Sequence, residues 1–137
     1  MTINEIQDEI IEEFSVFDDW MDKYSYLIEM ADTLPVIDEK LKDPAHLIDG
    51  CQSRVWIDAQ LRGGVMQITG DSDAILVKGL VALLLRVFNG QRPQDVAAAD
   101  LYFIDRIGMR ENLSPTRANG LLSMIKQIKY YAVAMSS

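Results

Sequence analysis

The chain holds one strong nucleophile, Cys51, in the run Asp49-Gly50-Cys51-Gln52-Ser53. A thiol can attack an electrophile, bind a metal, or exchange sulfur with a disulfide or persulfide. A free cysteine also packs as a small hydrophobe, but that role usually comes with apolar neighbours. Here a glycine permits a sharp turn and two polar residues follow, a setting that shifts the reading from core filler toward a turn. The one histidine, His46, lies five residues upstream and could serve as a nearby base, although a surface or hydrogen-bonded imidazole explains it more simply. No third partner or oxyanion-hole signature accompanies the pair, so cysteine-hydrolase chemistry is not indicated. One Cys and one His also exclude an internal disulfide and a Cys/His zinc site within one chain.

Two other places carry charge with a possible task. Gly70-Asp71-Ser72-Asp73 precedes an apolar run and reads as helix capping. It is not a phosphate loop, because two aspartates would repel a phosphate and GxxxxGK is absent. Arg117 falls near the start of the last helix, where a cation opposes the macrodipole, which points to a contact outside that helix. The seven methionines are scattered and read as packing. Lys78, within an apolar helix, is no sign of a cofactor site.

The elements that position these residues follow from periodicity. Thr2 and Glu5 have capping-box spacing, and Ile3, Ile6, Ile10 and Phe14 form a helical stripe behind them. Asp18 or Asp19 starts a second helix with the stripe Trp20, Tyr24, Leu27, Ile28, Ala31 and Leu34, ending near Pro35. Residues 36–45 read as a connection. Three strands are expected next: His46 to Gly50, Ser53 to Leu61 with Val55, Ile57, Ala59 and Leu61 on one face, and Val65 to Thr69 after the Gly63-Gly64 turn. Ala74 to Phe88 is apolar around most of its circumference and is expected to be the central helix. Shorter helices over Pro93–Ala99 and Tyr102–Met109 follow, and Ser114-Pro115 opens the last, running to about Met135. The reading is one α+β domain over residues 1–137, a three-stranded antiparallel meander packed with helices.

Composition limits the partners. Of 137 residues 49% are hydrophobic and 25% charged, as in an ordinary globular domain, and the formal net charge is −8. Such an acidic surface repels nucleic acid and anionic membranes. The longest apolar run, Leu80 to Leu85, falls far short of the ~18 residues of a membrane span. The acidic N-terminus lacks the pattern of a secretion signal, so the expected address is the reducing cytoplasm.

The segment His46-Leu47-Ile48-Asp49-Gly50-Cys51-Gln52-Ser53-Arg54-Val55-Trp56 resembles the cysteine-centred motif of the SufE family of sulfur acceptors. Gly70-Asp71-Ser72-Asp73-Ala74, Val77-Lys78-Gly79-Leu80, and Leu113-Ser114-Pro115-Thr116-Arg117 with Gly120 match later motifs of that family in order and spacing. The resemblance spans nearly the whole chain and implies a fold shared in outline with IscU-type scaffolds. It also implies an accessory protein rather than a stand-alone enzyme. Such a protein stimulates a pyridoxal-phosphate cysteine desulfurase, takes sulfane sulfur as a persulfide on Cys51, and passes it to iron–sulfur scaffold proteins. Gln52, Ser53, Asp71, Asp73 and Arg117 would stand around Cys51 or face the desulfurase. The pyridoxal phosphate belongs to the partner, and neither cofactor nor metal is expected here. The alternative is an iron–sulfur or metal scaffold, or a redox-sensing thiol, on the same fold.

A lone cysteine suits a carrier, since a second thiol would attack the persulfide and release sulfide. Leu47 and Ile48 before the turn, with Val55 and Trp56 after it, allow the tip to fold back over apolar surface. Burial there would raise the thiol pKa and keep Cys51 quiet at rest.

Overall fold

Thr2 opens α1 (Ile3–Phe14) through a capping box: the Glu5 amide donates to Thr2 Oγ1 at 3.1 Å, and the Thr2 amide donates to Glu5 Oε1 at 2.9 Å. In this computed structural model, which describes residues 1–136, the stripe Ile3, Ile6, Ile10 and Phe14 is buried as its spacing requires. Asp19 caps α2 (Trp20–Met30) by accepting from the Asp22 amide. A 3-10 turn over Ala31–Thr33 ends the helical run, and Leu34, preceding a proline, is already extended. Leu27, Ala31 and Leu34 are buried, whereas Ile28 faces solvent.

A two-residue hairpin follows. β1 (Val55–Arg62) and β2 (Val65–Ser72) pair antiparallel, from Arg62 opposite Val65 to Val55 opposite Ser72. Gly63 and Gly64 take φ of +60° and +81°, the left-handed values a primed turn demands. Val55, Ile57 and Ala59 enter the core, while Leu61 beside the turn is exposed.

The sheet has two strands rather than the three expected. His46–Gly50 contributes one bridge, Leu47 opposite Trp56, flanked by Ile48 N–H donating to Val55 O at 2.8 Å and Ile57 N–H donating to His46 O at 3.1 Å. Pro44 on one side and the Asp49-Gly50 turn on the other leave too little chain for a ladder to lengthen. On the far edge of the hairpin, Pro35–Ile37 hydrogen-bonds to both backbone groups of Gly70, so each edge is partly covered.

α3 (Ile75–Phe88) is the centre of the molecule: ten of its 14 residues are buried, and α1, α2, β2 and α7 all pack on it. The expected Asp-Ser-Asp cap is not formed. Ala74 is the N-cap residue, its amide donates to Ser72 Oγ at 3.2 Å, and both aspartates are engaged elsewhere. After α4 (Pro93–Ala98), the expected helix over Tyr102–Met109 is two single turns, α5 (Phe103–Arg106) and α6 (Met109–Asn112), split where Gly108 adopts φ +76°. α7 (Pro115–Met135) starts as expected, with Ser114 Oγ accepting from the Arg117 amide at 3.3 Å. No helix among the described residues is long and apolar enough to cross a membrane.

Gly79 sets the distance between α2 and α3. A Cβ there would lie 2.2 Å from the Leu27 carbonyl oxygen and 2.8 Å from its carbon, so backbone would have to move. Alanine is the better helix former by about 1 kcal/mol, yet overpacking two helix backbones costs roughly 1–3 kcal/mol or more. Gly79→Ala is therefore expected to lower stability in urea or thermal unfolding, despite its higher helix propensity. A variant as stable as the parent would show that the interface can part at no cost.

Candidate functional site

The chain reaches Cys51 through a turn at Asp49-Gly50, where Gly50 adopts φ +87°. A side chain there would be strained, and its Cβ would stand 2.7 Å from Ser123 Oγ on α7. This turn delivers Cys51 against α7 rather than out into water. The residue is half-buried, with Sγ 3.6 Å from the Gly120 carbonyl oxygen, within reach of a weak S–H donation. Gly120 makes the approach possible: a Cβ on it would sit 3.4 Å from Sγ. Burial pushes the Cys51 thiol above its ordinary pKa.

A cavity of about 50 Å³ adjoins the sulfur. Val77 and Leu80 of α3 and Met124 of α7 form its apolar wall, and Thr116, Arg117, Gln52 and Ser53 surround its mouth. Four of the six residues singled out from sequence, Cys51, Gln52, Ser53 and Arg117, thus come together at one cavity. Asp71 and Asp73 do not line it.

Those two aspartates tie down the chain just beyond the loop. Asp73 Oδ1 accepts from the Arg54 amide at 3.0 Å, and the Asp73 amide donates to Arg54 O at 3.2 Å. Ser72 Oγ donates to that same carbonyl at 2.9 Å. Asp71 is buried and lies between two cations, 2.7 Å from Lys42 Nζ and 3.3 Å from Lys78 Nζ, and it accepts from the Ser72 amide at 2.8 Å. Burial alone would raise its pKa, but hydrogen bonds from Lys42, Ser72 and Lys78 outweigh that and hold the carboxyl below its usual range. Lys42 is raised in turn, chiefly by Asp71 and then by Glu39. The motif read as capping is thus a clamp on the strand entry that follows Cys51. Sequence reasoning missed Lys42, which reaches Asp71 only through the fold.

His46 is not positioned as a base for Cys51. Its Nδ1 lies 2.7 Å from Asp43 Oδ1 and its Nε2 3.1 Å from Asp58 Oδ1, so both nitrogens face carboxylates. Asp43, opposed only in part by burial, holds the imidazole above its ordinary pKa, with Asp58 adding to the effect.

Against this geometry, residues 8–132 match the SufE Fe-S metabolism associated domain. The chain belongs to the SufE family. Its similarity extends to an uncharacterized SufE-like protein of Rhizobium etli, 42% identical over 127 residues, covering 89% of this chain and 86% of that one. An uncharacterized SufE-like protein of Rhizobium meliloti is 39% identical over 127 residues, covering 89% and 91%. In three dimensions this SufE-family chain is similar to a hypothetical protein of Thermus thermophilus solved in solution, with TM-score 0.79, 20% identity and 95% of each chain covered. At that identity the likeness concerns the fold.

The His46 pairing has a pH signature. Because the folded pKa lies above the ordinary value, its stabilisation is complete below about pH 6.5 and is lost as pH rises through the folded value. Asp43 is held below its usual value by His46, so the same pairing is lost again in strong acid. His46→Gln is expected to destabilise by roughly 0.5–1 kcal/mol near pH 5–6 and by less toward pH 9. Denaturant midpoints of both variants across pH check this; a gap independent of pH would show that the imidazolium contributes nothing.

Proposed function

We propose that this protein is an accessory sulfur carrier that activates a pyridoxal-phosphate cysteine desulfurase. It receives sulfane sulfur on Cys51 and passes it to iron–sulfur cluster assembly. The observation that carries this reading is the setting of the chain's single thiol: half-buried against glycine, beside a small apolar cavity with Arg117 at its mouth, in a SufE-family chain.

The reaction is an exchange. The Cys51 thiolate attacks the outer sulfur of a persulfide on the donor, a new S–S bond forms, and the donor's S–S bond breaks. The donor leaves as a thiolate and takes up the proton that Cys51 released, so nothing is oxidised or reduced overall. A persulfide turned into the cavity would lie against the buried side chains of Val77, Leu80 and Met124, withdrawn from reductants in solution. A peroxide-sensing thiol would call for a low pKa, and burial moves Cys51 the other way.

Two measurements test this reading. Cys51→Ser changes one atom in a loop, so it should leave thermal unfolding within about 0.5 kcal/mol of wild type. It should also abolish stimulation of sulfide release by a desulfurase supplied with cysteine and reductant. Full stimulation by the serine variant would end the acceptor assignment.

The second concerns access. In the free protein the sheltered, protonated thiol should alkylate slowly, and a desulfurase lacking its own active-site cysteine should speed the reaction by drawing the loop outward. That shift requires the partner to bind the exposed form more tightly, since equal affinity moves no population. Fast alkylation of the free protein, unchanged or merely blocked by the partner, would remove the gating step and leave sulfur acceptance standing.

A further inference from the structure

Fourteen of the 21 acidic residues and three of the 13 basic ones precede Cys51. Beyond it the balance reverses, and α7 carries Arg117, Lys126 and Lys129 with no acidic residue. Most cations are occupied. Lys42 and Lys78 hold Asp71, Arg86 holds Glu9 and Glu13, and Arg92 and Arg110 pair with Asp95 and Asp105. Lys23 and Arg106 lie over aromatic rings, Arg62 donates to Gln60, and Lys129 donates to the Ala99 carbonyl. Among the described residues, the basic side chains without such a partner are those of Lys40, Arg54, Arg117 and Lys126. Three of these four flank the Cys51 loop. Arg54 lies three residues beyond Cys51, Arg117 lines its cavity, and Lys126 lines a separate groove on the other side of the Asp49-Gly50 turn.

That groove, about 280 Å³, runs between Leu47, Ile48 and Asp49 on one bank and Ser123, Lys126, Gln127 and Tyr130 of α7 on the other. Gly120 and Met124, in the cavity, and Ser123 and Gln127, in the groove, occupy successive turns of α7, so the two features lie along one helix. Apolar surface accumulates here: Leu47 is 39% exposed, Leu122 47% and Tyr130 70%. Leu122, Lys126 and Tyr130 follow at helical spacing and share a face. An exposed aromatic beside an unpaired cation has the make-up of an interface anchor. Asp49, the single anion in the lining, argues against a small free anion as occupant, whereas a protein surface can meet apolar, cationic and anionic points at once.

We propose that this groove is a docking surface, distinct from the sulfur's own cavity, for an acidic patch on the sulfur-donating protein. A carboxylate of that patch pairs with Lys126, and an apolar side chain enters between Leu47 and Tyr130. The identity of the partner rests on the sulfur-acceptor reading; the location and chemistry of the contact rest on the groove.

The test is the affinity of a cysteine desulfurase of the same organism for wild type, K126E, Y130A and R92E, at low salt and at about 0.5 M salt. R92E changes net charge as K126E does but lies at the Asp95 pair, among residues that line neither cavity nor groove. K126E and Y130A should each weaken binding about tenfold, with the K126E loss shrinking at high salt and the Y130A loss persisting. R92E should stay within about twofold of wild type. Wild-type affinity in both groove variants, or an equal loss in R92E, would overturn the docking surface while the acceptor reading stands. If wild type does not bind the desulfurase at all, the acceptor reading fails and the docking surface fails with it.

Discussion

A helix that is apolar around most of its circumference has to be covered around most of it, and α3 imposes that constraint on the rest of the molecule. Ten of its 14 residues are buried, so no single partner element is enough. α1 and α2 cover part of it, the hairpin another part, and α7 a third. Gly79 lets the backbone of α2 come into direct contact, because any side chain there would meet the Leu27 carbonyl. Surrounding α3 in this way brings α7 beside the start of β1, and the loop carrying Cys51 has to pass between them. The sulfur environment is thus a consequence of core coverage: Val77 and Leu80 of α3 are at once core residues and the wall behind Cys51.

The polar groups near the site divide the work. Asp71 sits buried between Lys42 and Lys78, where losing one partner would leave charge stranded in low dielectric. Asp73 and Ser72 grip the backbone of Arg54, so the chain just after the loop is held while the loop itself is tied down by few bonds. His46 braces the approach from the other side through Asp43 and Asp58. A lightly bonded tip between two anchored ends suits the sulfur transfer proposed above, in which the nucleophile would have to reach a donor. Burial meanwhile pushes the Cys51 thiol pKa upward, which lowers its thiolate fraction at rest.

Much of this was legible from residue types and spacing. The capping box at Thr2, the cap at Ser114, the Gly63-Gly64 hairpin and the central apolar helix are local signals, and each formed where it was read; of the two candidate starts for the second helix, Asp18 and Asp19, the cap is Asp19. The failures have two causes. Pro44 and the Asp49-Gly50 turn cut the third strand short, and Gly108 in left-handed geometry splits the helix over Tyr102–Met109, both local features that hydrophobic periodicity does not weigh, whereas the aspartate cap of α3 lost to distant partners. Asp71 and Asp73 are sound capping residues by type, yet Lys42 and the Arg54 backbone, brought close only by folding, outbid the helix amides.

The same division holds for the site. Sequence alone determined that there is one thiol, that it follows a glycine in a turn, and that the motifs around it are those of the SufE family, because these are matters of residue identity and order. Only the tertiary structure decided that the sulfur rests against Gly120, that Arg117 shares its cavity while Asp71 stands behind as a brace, and that Lys126 and Tyr130 border a groove beside the loop. Burial, ion pairing and pKa depend on which atoms arrive within a few ångströms from far along the chain, and no local spacing encodes that.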